Sequence, residues 1–239
     1  MIGLGTIINC GGILLGGVLG LLLGRFLKKP MQDALTCACG ICTLFIGIAG
    51  ALEGMLRING EQLVSTGAML VVGCLALGTF IGELINIERG FERFGEWLKQ
   101  KTGNAKDASF VNAFVTASLT VCIGAMAIVG SIQDGLTGNY TTLATKAVLD
   151  LVIIMVMTCA LGKGCIFSAI PVALLQGSVT ALSSLLRPIM TTQALANLSM
   201  IGSILIFCVG VNLVWGKKVR VANMLPAVIF AVAAAFLPI

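Results

Sequence analysis

Apolar residues run along this chain in long blocks broken by short polar stretches, not in the alternation of a half-buried strand. A helix needs about 20 such residues to cross a hydrocarbon core. Eight blocks approach or reach that length: 2–24, 34–56, 67–86, 110–133, 147–162, 166–186, 198–216 and 222–238. The fifth is short, and Leu161-Gly-Lys-Gly164 joins it to the sixth as a tight turn. Pro171, in the first part of the sixth, is predicted to kink that helix or to begin its regular part. The last block is alanine-rich and the weakest; without it the count is seven. The expected fold is an all-α integral membrane protein of eight, or seven, helices arranged in hairpins.

One polar segment has a pattern of its own. In 86–101, Ile87, Phe91, Phe94 and Leu98 recur at helical spacing, and Glu88, Arg89, Glu92, Arg93, Glu96 and Lys99 fill the other face. This predicts an amphipathic helix at the membrane surface, with Trp97 suited to the interface. It is either a surface connector or a docking element for a partner.

The chain also repeats itself. Gly11, Gly16 and Gly20 return as Gly73, Gly78 and Gly82, and Thr36, Cys42, Ile48 and Gly50 return as Thr116, Cys122, Ile128 and Gly130. The reading is a parallel duplication of the first hairpin, repeat A over 1–56 and repeat B over 67–136. Hairpins at 147–186 and 198–238 complete a single membrane domain. Glycine-rich apolar sequence aligns easily with itself, so chance similarity stays open. The six glycines are expected at close helix–helix contacts, within the bundle or between the subunits of a homo-oligomer.

Composition narrows the class. Of 239 residues, 58% are apolar and 10% charged, and the mean hydropathy is +1.06. An ordinary soluble domain carries about 25% charge. So little charge excludes disorder and argues against a nucleic-acid partner; the expected partner is the lipid bilayer. The placement of the charge orients the chain. With the N-terminus outside, the inner loops carry Arg25, Lys28 and Lys29; Arg89, Arg93, Lys99, Lys101 and Lys106; Lys163; and Lys217, Lys218 and Arg220. Only Arg57, Lys146 and Arg187 fall on the outer side, and cytoplasmic loops attract basic residues. The first span has neither a basic leader nor a cleavage-like end, so it reads as a retained helix.

The chemistry available is limited. There is no histidine, no G-x-S-x-G elbow and no phosphate-binding glycine loop, so an enzyme is not expected, and no cofactor is called for. The nine cysteines lie in or at the edge of apolar stretches. Cys39-Gly-Ile-Cys42 matches a C-x-x-C spacing, but nothing completes a tetrahedral site, so no metal is expected and packing is the favoured role.

Polar groups inside the bilayer are costly and need a reason. Asp150 falls about one turn into the fifth block, and Lys146 stands four residues before it on the same helix face. The two form a solute or ion site, or else a local pair near the outer interface with Lys146 reaching out to water. Glu53, Gln133, Asp134 and Gln176 recur near the outer ends of the second, fourth and sixth blocks. If those helices share an axis, the four groups converge on a cation or small polar solute; otherwise they face headgroups and water. Asn9 and Thr6 in the first block are further candidates.

Three stretches carry a resemblance: Gly124-Ala-Met-Ala-Ile-Val-Gly-Ser-Ile-Gln-Asp-Gly135, Lys146-Ala-Val-Leu-Asp150 and Ser168-Ala-Ile-Pro-Val-Ala-Leu-Leu-Gln-Gly177. With the opening Gly5-Thr-Ile-Ile-Asn9, they resemble the YqgA/YdfK-type inner-membrane proteins of bacteria, grouped as a family of unknown function. The resemblance covers the whole chain and implies a multi-pass protein of the bacterial cytoplasmic membrane, described at best as a transporter, with no established substrate. Ala147 stands where that pattern leads one to expect a serine. Two functions are carried forward. One is a transporter or channel for a small solute or ion, its polar site toward the outer half and lined by the second, fourth, fifth and sixth spans. The other is a non-transporting scaffold or regulator acting through the basic cytoplasmic face.

Overall fold

The computed structural model describes residues 1–60 and 62–237. α1 (Leu4–Gly24) and α2 (Lys29–Met55) form the first hairpin, with Pro30 in the first turn of α2, where its missing N–H has no partner to lose. A short antiparallel ribbon follows, β1 (Leu56–Asn59) on β2 (Gln62–Ser65), an element the sequence reading did not anticipate. α3 (Ala68–Ile85) ends at Asn86, whose left-handed backbone turns the chain directly into α4 (Ile87–Lys101). Next come α5 (Phe110–Cys122), α6 (Ala125–Thr137) and α7 (Thr141–Leu161). A 3-10 turn over Lys163–Ser168 leads into α8 (Ala169–Ala181) and the single turn α9 (Ser183–Leu186). α10 (Thr192–Trp215), α11 (Val221–Met224) and α12 (Pro226–Ala234) complete the chain.

Six helical segments are individually long and apolar enough to cross a membrane: α1, α2, α3, α7, the turn-plus-α8 segment and α10. α5 and α6 make a seventh only as a pair, bent by 62°. The segment Val221–Ala234 is apolar but shorter. This is a helical membrane protein. Its exposed surface fits, because α1, α2 and α3 present Leu14, Leu22, Phe45, Val72, Phe80 and Leu84 outward, a face suited to lipid and unsuited to water.

Two expectations are corrected. The fourth block is not one continuous helix: it breaks at Ile123–Gly124, where Gly124 has φ +148, a conformation that a side chain resists. The fifth begins at Thr141, six residues earlier than read, because Thr and Ala there continue the helix without being strongly apolar. Of the two outcomes read for Pro171 the second holds: it lies in the first turn of α8, directly after a 3-10 turn.

Glycine contacts set the helix directions. Along α1, Gly12 meets the Ala147 carbonyl, Gly16 that of Leu151 and Gly20 that of Met155, so α1 and α7 run parallel. Cys159 Sγ donates to the Gly20 carbonyl at 3.2 Å across the same seam. Along α2, Gly40 meets Val214, Gly47 the Phe207 backbone and Gly54 Met200, so α2 and α10 are antiparallel. Gly78 meets Ala227 and Gly82 the Asn223 carbonyl, which sets α3 antiparallel to the segment of α11 and α12. Lipid is as apolar as leucine, so such close backbone approach, with its dispersion contacts, is what holds membrane helices together.

The packing role read for Gly11 and Gly73 is not made within the chain, because a Cβ at either would meet nothing within 4 Å. The matched glycines also face different partners in opposite orientations, parallel α7 for α1 and antiparallel α12 for α3. The core under these seams gathers Ile13, Ile154, Met157 and Val172 around α1, α7 and α8, and Leu119, Leu205 and Val209 where α5 meets α10.

Candidate polar site

Asp150 is the tenth residue of the 21-residue α7, which places it about 14 Å along the helix at 1.5 Å per residue. It is therefore near mid-helix. Lys146 Nζ donates to both carboxylate oxygens, at 2.7 Å to Oδ1 and 2.6 Å to Oδ2. The side chains are only 10% and 4% exposed, so Lys146 folds onto Asp150 and does not reach out to water. Four-residue spacing on one helix brings the groups together, and burial on the α1 side keeps them so.

α1, α6 and α8 surround the pair with further polar groups. Asn9, fully buried on α1, lies beside the Asp150 carboxylate, close enough to act on its charge, yet neither of its amide atoms completes a hydrogen bond. One turn earlier, the Gly5 N–H donates to Asp134 Oδ2 of α6 at 3.0 Å, so Asp134 caps the start of α1 from a different helix. Asp134 Oδ1 has no partner, although the residue is fully buried. Thr180 of α8 donates to the Ser131 carbonyl at 3.2 Å, fixing α8 against α6. Gln176, one turn before Thr180, is 1% exposed with both amide atoms unpartnered. Gln133 is half-buried, and its Oε1 accepts from Thr142 of α7 at 2.8 Å.

The expected ring of the second, fourth and sixth spans does not form. α2 packs on α10 and α7, whereas α6 and α8 pack on α1 and on each other. Glu53 is accordingly exposed near the end of α2 and stands apart from Asp134, Asp150 and Gln176. The polar region belongs to α1, α6, α7 and α8, with Asn9 in the place that sequence reasoning gave to Glu53. The unpartnered hydroxyls of Ser131, Ser168 and Thr158 were not singled out from the sequence. For Ser131 a signal existed, since it stands three residues before Asp134 and shares its helix face.

The break between α5 and α6 lies near this region. Cys122, the last residue of α5, is within electrostatic reach of both Lys146 and Asp150. Gly124 offers no side chain to cap the start of α6, and the Ala127 N–H bonds back to the Gly124 carbonyl at 3.3 Å. Two adjoining cavities of about 590 and 680 Å³ open at the end of the bundle that carries the basic loops, both lined by Thr36, Asn112, Leu161 and Leu213. Neither reaches Asp150 or Gln176.

The mouth of the larger cavity is clamped by α4. Phe91, Phe94 and Leu98 pack against Phe110 and Phe114 of α5, as the amphipathic pattern requires. Lys217 lies 2.6 Å from both Glu88 and Glu92, and Arg220 is 2.8 Å from Glu83. Burial alone would lower the Lys217 ammonium, but the two carboxylates outweigh it and hold it above its ordinary value. A raised lysine contributes its stabilisation throughout the range below its unfolded value and loses it only as pH climbs through the folded value. The docking of α4 is therefore expected to survive to strongly alkaline pH. Lys217→Ala should release it already at pH 7, read as faster amide exchange over 87–101; unchanged exchange would show that the aromatic contacts suffice.

Among the described residues no group of three or more His, Cys, Asp or Glu could hold a metal ion. The model for the family "Protein of unknown function (DUF554)" matches residues 4–236. The chain is 29% identical over 232 residues to "Uncharacterized protein YqgA" of Escherichia coli (strain K12), covering 95% of this chain and 94% of that protein. It is 26% identical over 225 residues to "Uncharacterized membrane protein YdfK" of Bacillus subtilis (strain 168), covering 94% of this chain and 92% of that one. No solved structure matches the chain.

Proposed function

The chain belongs to the DUF554 family of membrane proteins of unknown function, and from its geometry we propose that it is a transporter or channel for a small polar solute or ion. One observation carries this reading: a bidentate Lys146–Asp150 pair held at mid-helix, with unpartnered Asn9 beside it. Desolvating two charges costs several kcal/mol per ion, and a well-packed apolar pair is often as stable or more so. Charge retained at such a place is more readily explained by a pathway than by packing. The break at Gly124 supports the same view, since transporters use interrupted helices to offer backbone groups at mid-membrane. Neither of the two cavities that open on the basic side reaches the pair, so in this reading transport requires a rearrangement that opens a path to it.

In this reading the protein sits in the bacterial cytoplasmic membrane with its N-terminus outside, and the segment of α11 and α12 makes the eighth crossing. The antiparallel contact of that segment with α3 is the direction such a crossing requires. Accessibility labelling should find Lys28, Lys101 and Lys218 on the cytoplasmic side and Asn59 and Asn139 outside; Lys101 outside would defeat the arrangement.

The direct test is flux into proteoliposomes over a panel of inorganic ions, amino acids, sugars and organic acids. Uptake of one class by the parent, lost in Asp150→Asn, is expected. Tight liposomes that move nothing on the panel would favour the other reading, a scaffold acting through α4 and the basic face.

A further inference from the structure

The buried charges near α1 do not balance. Lys146 is fully engaged by Asp150, with both carboxylate oxygens on its ammonium. Asp134 is fully buried and has no cation within ion-pairing distance among the described residues. Its Oδ2 takes the Gly5 N–H at the start of α1, whose helix dipole supplies roughly half a positive charge. The chain's amino terminus lies beside Gly138, one turn beyond Asp134, but Met1 is exposed and forms no ion pair with it. Asp134 Oδ1 is left bare.

The same seam leaves other oxygens bare. Thr6 Oγ1 and Asn9 Oδ1 on α1, Ser131 Oγ on α6 and Gln176 Oε1 on α8 are all buried without a hydrogen-bond partner. Each such group costs about 1–3 kcal/mol if nothing satisfies it. Their placement follows from contacts already described: Gly5 on Asp134 fixes α1 against α6, and Thr180 on Ser131 fixes α8 against α6. Three helices thus bring one carboxylate oxygen, two amide oxygens and two hydroxyls to one seam.

We propose that this seam of α1, α6 and α8 binds an alkali metal cation, with Asp134 as its one anionic ligand and Thr6, Asn9, Ser131 and Gln176 as neutral oxygen donors. The charge deficit selects a cation over a neutral solute, which would satisfy the hydroxyls and leave Asp134 unbalanced. The donor set selects a monovalent hard ion. Sites for divalent ions gather several carboxylates, and no such group exists among the described residues. The amide nitrogens of Asn9 and Gln176 remain as donors, and for Asn9 the Asp150 carboxylate is the adjacent acceptor. An ion there would neutralise the region next to the Lys146–Asp150 pair, which makes it a coupling ion if the chain is a transporter. The binding claim rests on that reading only for its purpose, and its test needs no transport.

The experiment is thermal unfolding of the full chain in mild detergent, comparing lithium, sodium, potassium and choline chlorides at equal ionic strength. A ligand that binds only the folded protein raises its midpoint by mass action. At roughly thirty times Kd the rise over choline should be about 4–8 °C for a chain of this size. Asp134→Asn should abolish the cation-dependent rise while unfolding in choline close to the parent. Ser131→Ala, which keeps the charge and drops one oxygen, should move the half-maximal concentration up several-fold. Glu53→Gln, at an exposed carboxylate, should keep the full response. Equal midpoints for the parent in all four salts would overturn the proposal, as would an undiminished rise in Asp134→Asn. A cation-dependent midpoint in a protein that moves no solute would leave the site standing and remove the transport reading. Flux that is blind to alkali cations, with equal midpoints, would do the reverse.

Discussion

Asp150→Asn is expected to lose stability and transport together, whereas the double variant Lys146→Met/Asp150→Leu regains the first and not the second. The single substitution leaves the Lys146 ammonium with no partner at a side-chain exposure of 10%. Removing one member of a buried pair typically costs about 3–5 kcal/mol. At about 2–4 °C per kcal/mol for a chain of this length, the midpoint should fall by roughly 6–20 °C. The double variant removes both charges and fills the space with apolar groups of similar size, a change that is often neutral or favourable. Its midpoint should lie within a few degrees of the parent, and measurement of both properties separates structure from function. A double variant that transports like the parent would reduce the pair to packing, and an unaltered midpoint in Asp150→Asn would mean the pair is wetter than its burial indicates.

Much of this site was legible in the sequence because a charge inside an apolar block is conspicuous. Asp150 and Lys146 stood out by cost and by four-residue spacing, and the structure brings them within 2.6 Å. What could not be read was depth. Thr141, Thr142 and Thr145 lower the hydropathy of the first turns of α7, so the block seemed to start near Asp150 when the helix starts at Thr141. A hydropathy boundary marks where apolar residues begin; a helix needs only backbone hydrogen bonds, which threonine tolerates.

The partners of Asp150 were less legible, because neighbours across helices depend on which helices pack. Parallel polar residues in the second, fourth and sixth spans suggested a shared axis. Instead the glycine face of α2 engages α10, which carries Glu53 away, and the glycine face of α1 engages α7, which delivers Asn9. The glycines were visible; their partners were not, since a small-residue stripe specifies close approach without naming what approaches. The break at Gly124 was hidden for a related reason: one glycine among thirty carries no sign that its φ is +148.

Gly16→Leu is expected to prevent assembly of the bundle, while Gly11→Leu leaves the isolated chain as stable as the parent. The two glycines sit on the same helix and look alike in sequence, so the contrast isolates the neighbour. A Cβ at Gly16 would run into the Leu151 carbonyl oxygen, with the Leu151 Cα at 3.0 Å. That neighbour is helix backbone and cannot swing aside as a side chain would. α1 must then back away from α7 along the whole seam, breaking the Gly12 and Gly20 approaches and drawing Asn9 off the Asp150 carboxylate. Overpacking a well-filled core usually costs about 1–3 kcal/mol, and a rigid backbone neighbour puts this case at or above the upper end. At Gly11 a Cβ meets nothing within 4 Å, so leucine there adds apolar surface to an outward face. Detergent-resistant folding, followed by size-exclusion profile and thermal midpoint, reads both variants. If Gly16→Leu elutes and melts like the parent, the parallel α1–α7 seam is not the contact that organises the site. Should Gly11→Leu instead dissociate a larger assembly while each chain stays folded, that glycine packs against a second copy of the chain.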